Sequence, residues 1–195
     1  MNILPDKIAL GITEDEVALG SHLIHFWQNE EEFERGVRFL ELGIENESQY
    51  CVLFGHEEAN QEVLEILRKK YPDLDRVIRE GLASEMLANI EAAFAAAVRK
   101  GAAAIRYLGN LGMGRAPLPG RGADEVVELE NGATLLGRRF PCIIVCMYDV
   151  NTVSGRLLLN AGFGTHDLAV WGRTLRQNAY FSLDEEATRT YRAAL

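Results

Sequence analysis

The sequence predicts an α/β fold with a mostly parallel central sheet and helices on both faces. Three observations carry that expectation. Short β-prone apolar runs alternate along the chain with amphipathic helical segments, the rhythm of strands joined by crossover helices. One run, Cys142-Ile143-Ile144-Val145-Cys146-Met147-Tyr148, is apolar without alternation, as suits a strand buried on both faces. The first strand, His22-Leu23-Ile24-His25-Phe26-Trp27, feeds directly into a helix spanning about Glu30 to Glu45, the layout that carries a glycine-rich phosphate loop in nucleotide-binding α/β proteins.

The connection at that point reads Gln28-Asn29-Glu30-Glu31-Glu32, without the glycines or the lysine that a phosphate loop requires. Its glutamates already complement the positive helix N-terminus and would repel a triphosphate. The expected core therefore lacks a functional phosphate loop, and no nucleotide cofactor is expected.

The elements follow in order. Asn29 is the expected N-cap of the first helix, which presents Phe33, Val37, Leu40 and Ile44 as one stripe. A second strand covers residues 49–55 and is closed by Gly55. A second helix starts near Glu57, shows Val63, Ile66 and Leu67, and stops before Pro72. Residues 73–81 suggest a short helical turn. Ser84 is expected to open a third helix with Leu87, Ile90, Phe94 and Val98 on one face, ended by Gly101. A strand at 103–108 precedes Gly109-Asn110-Leu111-Gly112-Met113-Gly114 and a stretch from Pro117 to Gly122, the longest punctuated segment and an expected lid. The next helix, Asp124 to Leu136, is expected to break at Asn131-Gly132. After the 142–148 strand come a short helix across Val153 to Asn160, a strand at 168–171, and a C-terminal helix with a capping box at Ser182 and Glu185. Residues 1–16 form an N-terminal extension and 17–195 one domain.

Composition excludes several classes of function. Twenty basic residues against 29 acidic ones give a net charge of −9, which argues against a chain that tracks nucleic-acid phosphates. No secretory signal or membrane-spanning run is legible, so a cytoplasmic protein with no membrane contact is expected. Three cysteines without CxxC spacing read as reduced thiols.

Several segments, taken in order, resemble the MEDS domain, the methanogen and methylotroph sensory domain of the DcmR type. They are Gly20-Ser21-His22, Phe39-Leu40-Glu41-Leu42-Gly43-Ile44, Arg106 with Gly109-Asn110, Cys146-Met147-Tyr148-Asp149, Thr165-His166 and Gln177-Asn178-Ala179-Tyr180-Phe181. The resemblance covers roughly Val17 to Phe181. It implies a RecA/KaiC-like core that has lost its phosphate loop, and a sensor of small organic molecules such as hydrocarbon derivatives. It also implies a signalling partner, either a kinase or a transcription regulator. Asp167 and Ala179 stand where the family carries prolines, and no output module is legible in the sequence.

Ligands of open parallel sheets sit beyond the carboxyl ends of the strands. That rule selects Trp27, His56, Asn110, Tyr148 and Asp149 for a small ligand with polar and apolar parts. The resemblance adds His22, Cys146 and His166 to the ligand-binding set. His22 and His25 point to opposite faces of a strand and make poor partners for one metal. Cys142 and Cys146 stand about 13 Å apart at strand rise, too far for one zinc. No metal is expected, although folding could assemble one from Cys146, His166 and a carboxylate. The glycines after residue 108 lack dinucleotide spacing, and no GxSxG elbow is present. A non-catalytic small-molecule sensor without a cofactor is therefore the leading reading. The alternatives are a metal-assisted hydrolase or transferase using Cys146, Asp149 and His166, and a regulatory scaffold. Self-association is expected by analogy with RecA-like folds.

Overall fold

In the computed structural model, residues 6–74, 77–80, 86–110 and 123–182 are described. Strands β1 (Lys7–Ala9) and β2 (Glu16–Ala18) form an antiparallel hairpin. The remaining order is β3 (His22–Trp27), α1 (Glu30–Ile44), β4 (Gln49–Gly55), α2 (Glu57–Arg68), β5 (Val77–Glu80), α3 (Met86–Arg99), β6 (Ala104–Asn110), α4 (Ala123–Gly137), β7 (Cys142–Asp149), α5 (Gly155–Leu157), β8 (Leu168–Trp171) and β9 (Thr174–Gln177). Helix α5 continues as a π-helical segment, Leu158–Phe163.

The main sheet has the order β5-β4-β6-β7-β3-β8-β9. Its pairs are parallel except β8 with β9. The sheet separates two cores. On one side α1 and α2 cover Leu23, Leu53, Leu108, Val145 and Met147. On the other, α3, α4 and the π segment cover Ile24, Phe54, Ile105, Ile144 and Tyr148. The strict alternation of a strand thus sends His22 and Cys146 to the α4 side and His25 to the α1 side, as the spacing implies.

Several local expectations need correction. Residues 77–80 form an edge strand on β4 where a helical turn was expected, because Val77 and Ile78 pair with Cys51 and Val52. Helix α4 runs unbroken through Asn131-Gly132. Gly132 is a packing residue there: a Cβ would lie 2.3 Å from Leu87 Cδ1 of α3. Val98 is exposed, and α3 buries Met86, Ile90, Ala93, Phe94 and Ala97 instead. The short helix after β7 extends through the π segment as far as Phe163. Gly109 and Asn110 belong to β6, while the rest of the expected lid, Ser84 and the expected C-terminal helix lie outside the described residues. Strand β9 carried no signal of its own, since it is largely exposed and packs little.

The N-terminal hairpin is fastened to the sheet. Ile8, Leu10, Ile12 and Val17 are buried in the α1-side core. Arg106, 1% exposed, donates from Nη2 to Ala9 O at 2.7 Å, from Nη1 to Phe39 O at 3.2 Å and from Nε to Gln49 Oε1 at 2.6 Å. Its guanidinium lies over the Phe39 ring, 5.0 Å from the centroid. Burial lowers its pKa to about 10, so it remains charged at neutral pH. Gly55 marks a close approach at the carboxyl end of β4, where a Cβ would stand 1.9 Å from Asn110 O.

Candidate functional site

The carboxyl edge of the sheet begins with the turn from β3 into α1. Asn29 Oδ1 accepts from Glu32 N at 3.0 Å, and Glu32 Oε2 accepts from Gln28 N at 2.9 Å. Together these bonds cap the helix start and occupy the backbone donors of Gln28 and Glu32. Asn151 Nδ2 donates to Gln28 O at 2.9 Å and ties the turn after β7 to the same place.

Trp27 and Asp149 are register partners at the ends of β3 and β7, and Gly55 and Asn110 are partners at the ends of β4 and β6. The sequence rule thus places these positions on one edge, but their side chains do not all face a common space. Asp149 Oδ1 accepts from Asn151 N at 3.0 Å and shapes the turn. Asn110 Nδ2 donates to Ala59 O at 3.1 Å. Tyr148 points beneath the sheet. Trp27 packs edge-on against Phe33, with centroids 4.9 Å apart. Its Nε1 is shielded from solvent without a partner, as is Nε2 of His56, the residue preceding α2. A shallow crevice at this edge is lined by Phe26, Trp27, Gln28, Glu32, Val150 and Trp171. Trp171 is 56% exposed and rests on Phe26, with centroids 5.3 Å apart.

A second assembly is buried on the α4 side, below the carboxyl edge. It joins His22 of β3, Glu130 and Thr134 of α4, Cys146 and Tyr148 of β7, and His166 after the π segment. His22 Nε2 lies 3.3 Å from Cys146 Sγ and 3.4 Å from Glu130 Oε2. Cys146 Sγ donates to Glu130 Oε2 at 3.3 Å, and His166 Nε2 stands 3.7 Å from that same oxygen. Tyr148 Oη donates to Glu130 Oε1 at 2.8 Å. None of these side chains is more than 4% exposed. Thr134 Oγ1 is 2.8 Å from His22 Nδ1. His166 Nδ1 is 2.8 Å from Gly162 O and 3.1 Å from Ala161 O, two carbonyls that the π geometry turns towards it.

The electrostatics follow from this packing. Burial, then His22, pushes the His166 imidazole well below its ordinary pKa and keeps it neutral. Burial opposes the Glu130 carboxylate, and the hydrogen bond from the Tyr148 hydroxyl favours it. Burial and then Glu130 push the Cys146 thiol and the Tyr148 phenol well above theirs. The assembly offers two imidazole nitrogens, a carboxylate oxygen and a sulfur, the donor types of a metal centre.

Of the sequence-selected residues, His22, Cys146, Tyr148 and His166 meet in the buried assembly, whereas Trp27, His56, Asn110 and Asp149 occupy the carboxyl edge. The carboxylate beside Cys146 and His166 is Glu130, because Asp149 lies on the opposite face of β7. Glu130 was missed because α4 was expected to break beside it. Its signal was available: an acid sharing the apolar stripe of Val126, Leu129, Ala133 and Leu136. Segments far apart in the chain support this one place. Asn178 Nδ2 donates to His166 O at 2.6 Å and Phe163 O at 2.7 Å. Asp167 N donates to His22 O at 3.0 Å, while Asp167 Oδ1 accepts from His22 N at 2.8 Å. The first of these bonds is closed to the proline usual at that position.

A further cleft of about 260 Å³ lies between α1 and α2, bordered by Arg38, Ile66 and Lys69. Arg35 and Arg173 both pair with Glu31 at its rim, and Lys70 pairs with Glu41 across it.

Two comparisons with known proteins agree with the sequence motifs. The model of the family described as "MEthanogen/methylotroph, DcmR Sensory domain" matches residues 21–167. The chain is also similar to the "Transcriptional repressor DcmR" of Methylorubrum extorquens (strain DSM 6343 / CIP 106787 / DM4), 30% identical over 120 residues. That alignment covers 57% of this chain and 45% of the repressor, so the chain matches less than half of that protein's length. With the family model spanning far more than half of its residues, the chain belongs to the MEDS family of sensory domains.

Proposed function

We propose that the protein is a non-catalytic sensory domain that binds a small organic molecule at the carboxyl edge of its sheet and signals to a regulatory partner. The observation that carries this reading is the shielded, unpartnered indole N–H of Trp27, at the edge where parallel sheets bind ligands. A ligand acceptor would satisfy it, and the crevice that Trp27 shares with Phe26 and Trp171 suits the ligand's apolar part. Family membership supports a sensory role, and the repressor relative supports a transcription regulator as the partner class. The self-capped turn at Asn29 and Glu32 supports a RecA-like ancestry in which the phosphate site was lost.

The test is a thermal-shift titration with a panel of short-chain alcohols, alkyl halides and alkylamines. At least one class is expected to raise the Tm of the wild-type chain and to leave that of Trp27→Ala unchanged. A flat response across the panel, or an equal response in both chains, would contradict this placement of the site.

A further inference from the structure

We propose that His22, Glu130, Cys146 and His166 form a closed tetrahedral site for a divalent metal ion of the zinc class. Tetrahedral zinc with bonds of about 2.0–2.3 Å requires donor atoms roughly 3.3–3.8 Å apart. The contacts of 3.3 Å (His22 with Cys146), 3.3 Å (Cys146 with Glu130), 3.4 Å (His22 with Glu130) and 3.7 Å (His166 with Glu130) lie in that range. All four donor atoms fall within 4.8 Å of one another, so small side-chain rotations close the remaining edges.

Hydrogen bonding on the far side of each imidazole fixes its tautomer. Thr134 Oγ1 has one proton, committed to Thr165 O at 2.9 Å or Glu130 O at 3.0 Å, and therefore accepts from His22 Nδ1–H. His166 Nδ1–H donates to the Gly162 carbonyl. Both Nε2 lone pairs then face inward, and Nε2 of His166 has no hydrogen-bond partner although the residue is fully buried. Without an ion, two imidazole lone pairs and a carboxylate oxygen crowd one another around a single thiol proton. A divalent cation turns each of these repulsions into a bond.

The surroundings are those of a structural metal centre. Each imidazole is oriented by an outer partner, and the carboxylate is held by Tyr148 Oη. Binding M²⁺ displaces the Cys146 proton to solvent, forming an M–S bond and breaking S–H. One thiolate, one carboxylate and two neutral imidazoles then give a site of zero net charge, which suits full burial. The thiolate and imidazoles favour zinc over magnesium or calcium. Because all four ligands are buried and come from four separate segments, the ion clamps β3, α4, β7 and the turn after the π segment and leaves no open catalytic position.

The full chain should be unfolded in chelator, then refolded with Zn²⁺, with Co²⁺ or with chelator alone. One equivalent of metal is expected, with a higher Tm than the chelator-refolded chain. The Co²⁺ form should show intense tetrahedral d–d bands and a thiolate charge-transfer band. That band should persist in Cys51→Ser and Cys142→Ser, whose thiols contact Leu40 O and Gly137 O, and vanish in Cys146→Ser. Should Cys146→Ser fail to fold, Thr134→Val provides the second test: metal affinity should fall about 10–100-fold with the thiolate band retained. The proposal is overturned by a Tm indifferent to metal, a Co²⁺ spectrum without the thiolate band, a band that survives Cys146→Ser, or unaltered affinity in Thr134→Val.

Discussion

His25 is fully buried on the α1 side, with Nε2 donating to Glu32 O at 2.9 Å and Nδ1 unpartnered. Burial lowers its pKa to about 4, partly offset by the Glu32 carbonyl and carboxylate, with Arg35 nearby acting in the same direction as burial. The unfolded chain binds a proton near pH 6.5 that the folded chain refuses until about pH 4, so this contribution to stability is complete above pH 6.5 and lost as pH falls through that window. The shift corresponds to about 3 kcal/mol in all. Urea denaturation across pH 7 to 4.5 should show a slope of stability against pH that is shallower in His25→Asn by up to about 1.4 kcal/mol per pH unit. An identical slope would mean that His25 is not held neutral. Arg106 presents the opposite case, a buried cation satisfied by carbonyls. Arg106→Met strips donors from Ala9 O, Phe39 O and Gln49 Oε1 and should cost roughly 3–5 kcal/mol by the same assay. Neither role could be read from the sequence, because both depend on what packs against the residue from distant elements.

At the scale of elements, much was legible. Strands β3 and β4 and the start and cap of α1 follow from local patterns, since periodicity and capping chemistry are encoded within a few neighbouring residues. The misses were tertiary in origin. Gly132 looked like a helix breaker until α3 was laid against it, and β5 exists because β4 offers it an edge. The candidate site divides in the same way. His22, Cys146, Tyr148 and His166 were picked out, but Glu130, which joins them, was not. The capped turn between β3 and α1 carries its own expectation. Asn29→Ala should cost about 1 kcal/mol of stability. The wild-type chain should hydrolyse ATP no faster than Glu32→Ala in a phosphate-release assay, and turnover above that control would contradict a non-catalytic domain.

At the scale of the molecule, the sheet separates two tasks. Its buried α4 face gathers His22, Cys146 and His166 around Glu130, Arg106 and Phe39 serve the α1 face, and its carboxyl edge carries Trp27, His56 and Trp171. Among the described residues no helix is long and apolar enough to cross a membrane, so membrane insertion through such a helix plays no part in this account. The sequence order of the motifs was enough to place the chain in its family, because each motif supplies a residue with a distinct structural duty. It was not enough to separate the edge from the buried centre, because that division depends on which face of the sheet each side chain occupies. The most direct test of the sensory reading is native mass spectrometry of the intact chain, sprayed with the same panel of short-chain alcohols, halides and amines. One organic molecule is expected bound per wild-type chain and none on Trp27→Ala. A wild-type chain that takes up no organic mass from any class, or a Trp27→Ala chain that retains it, would contradict the account.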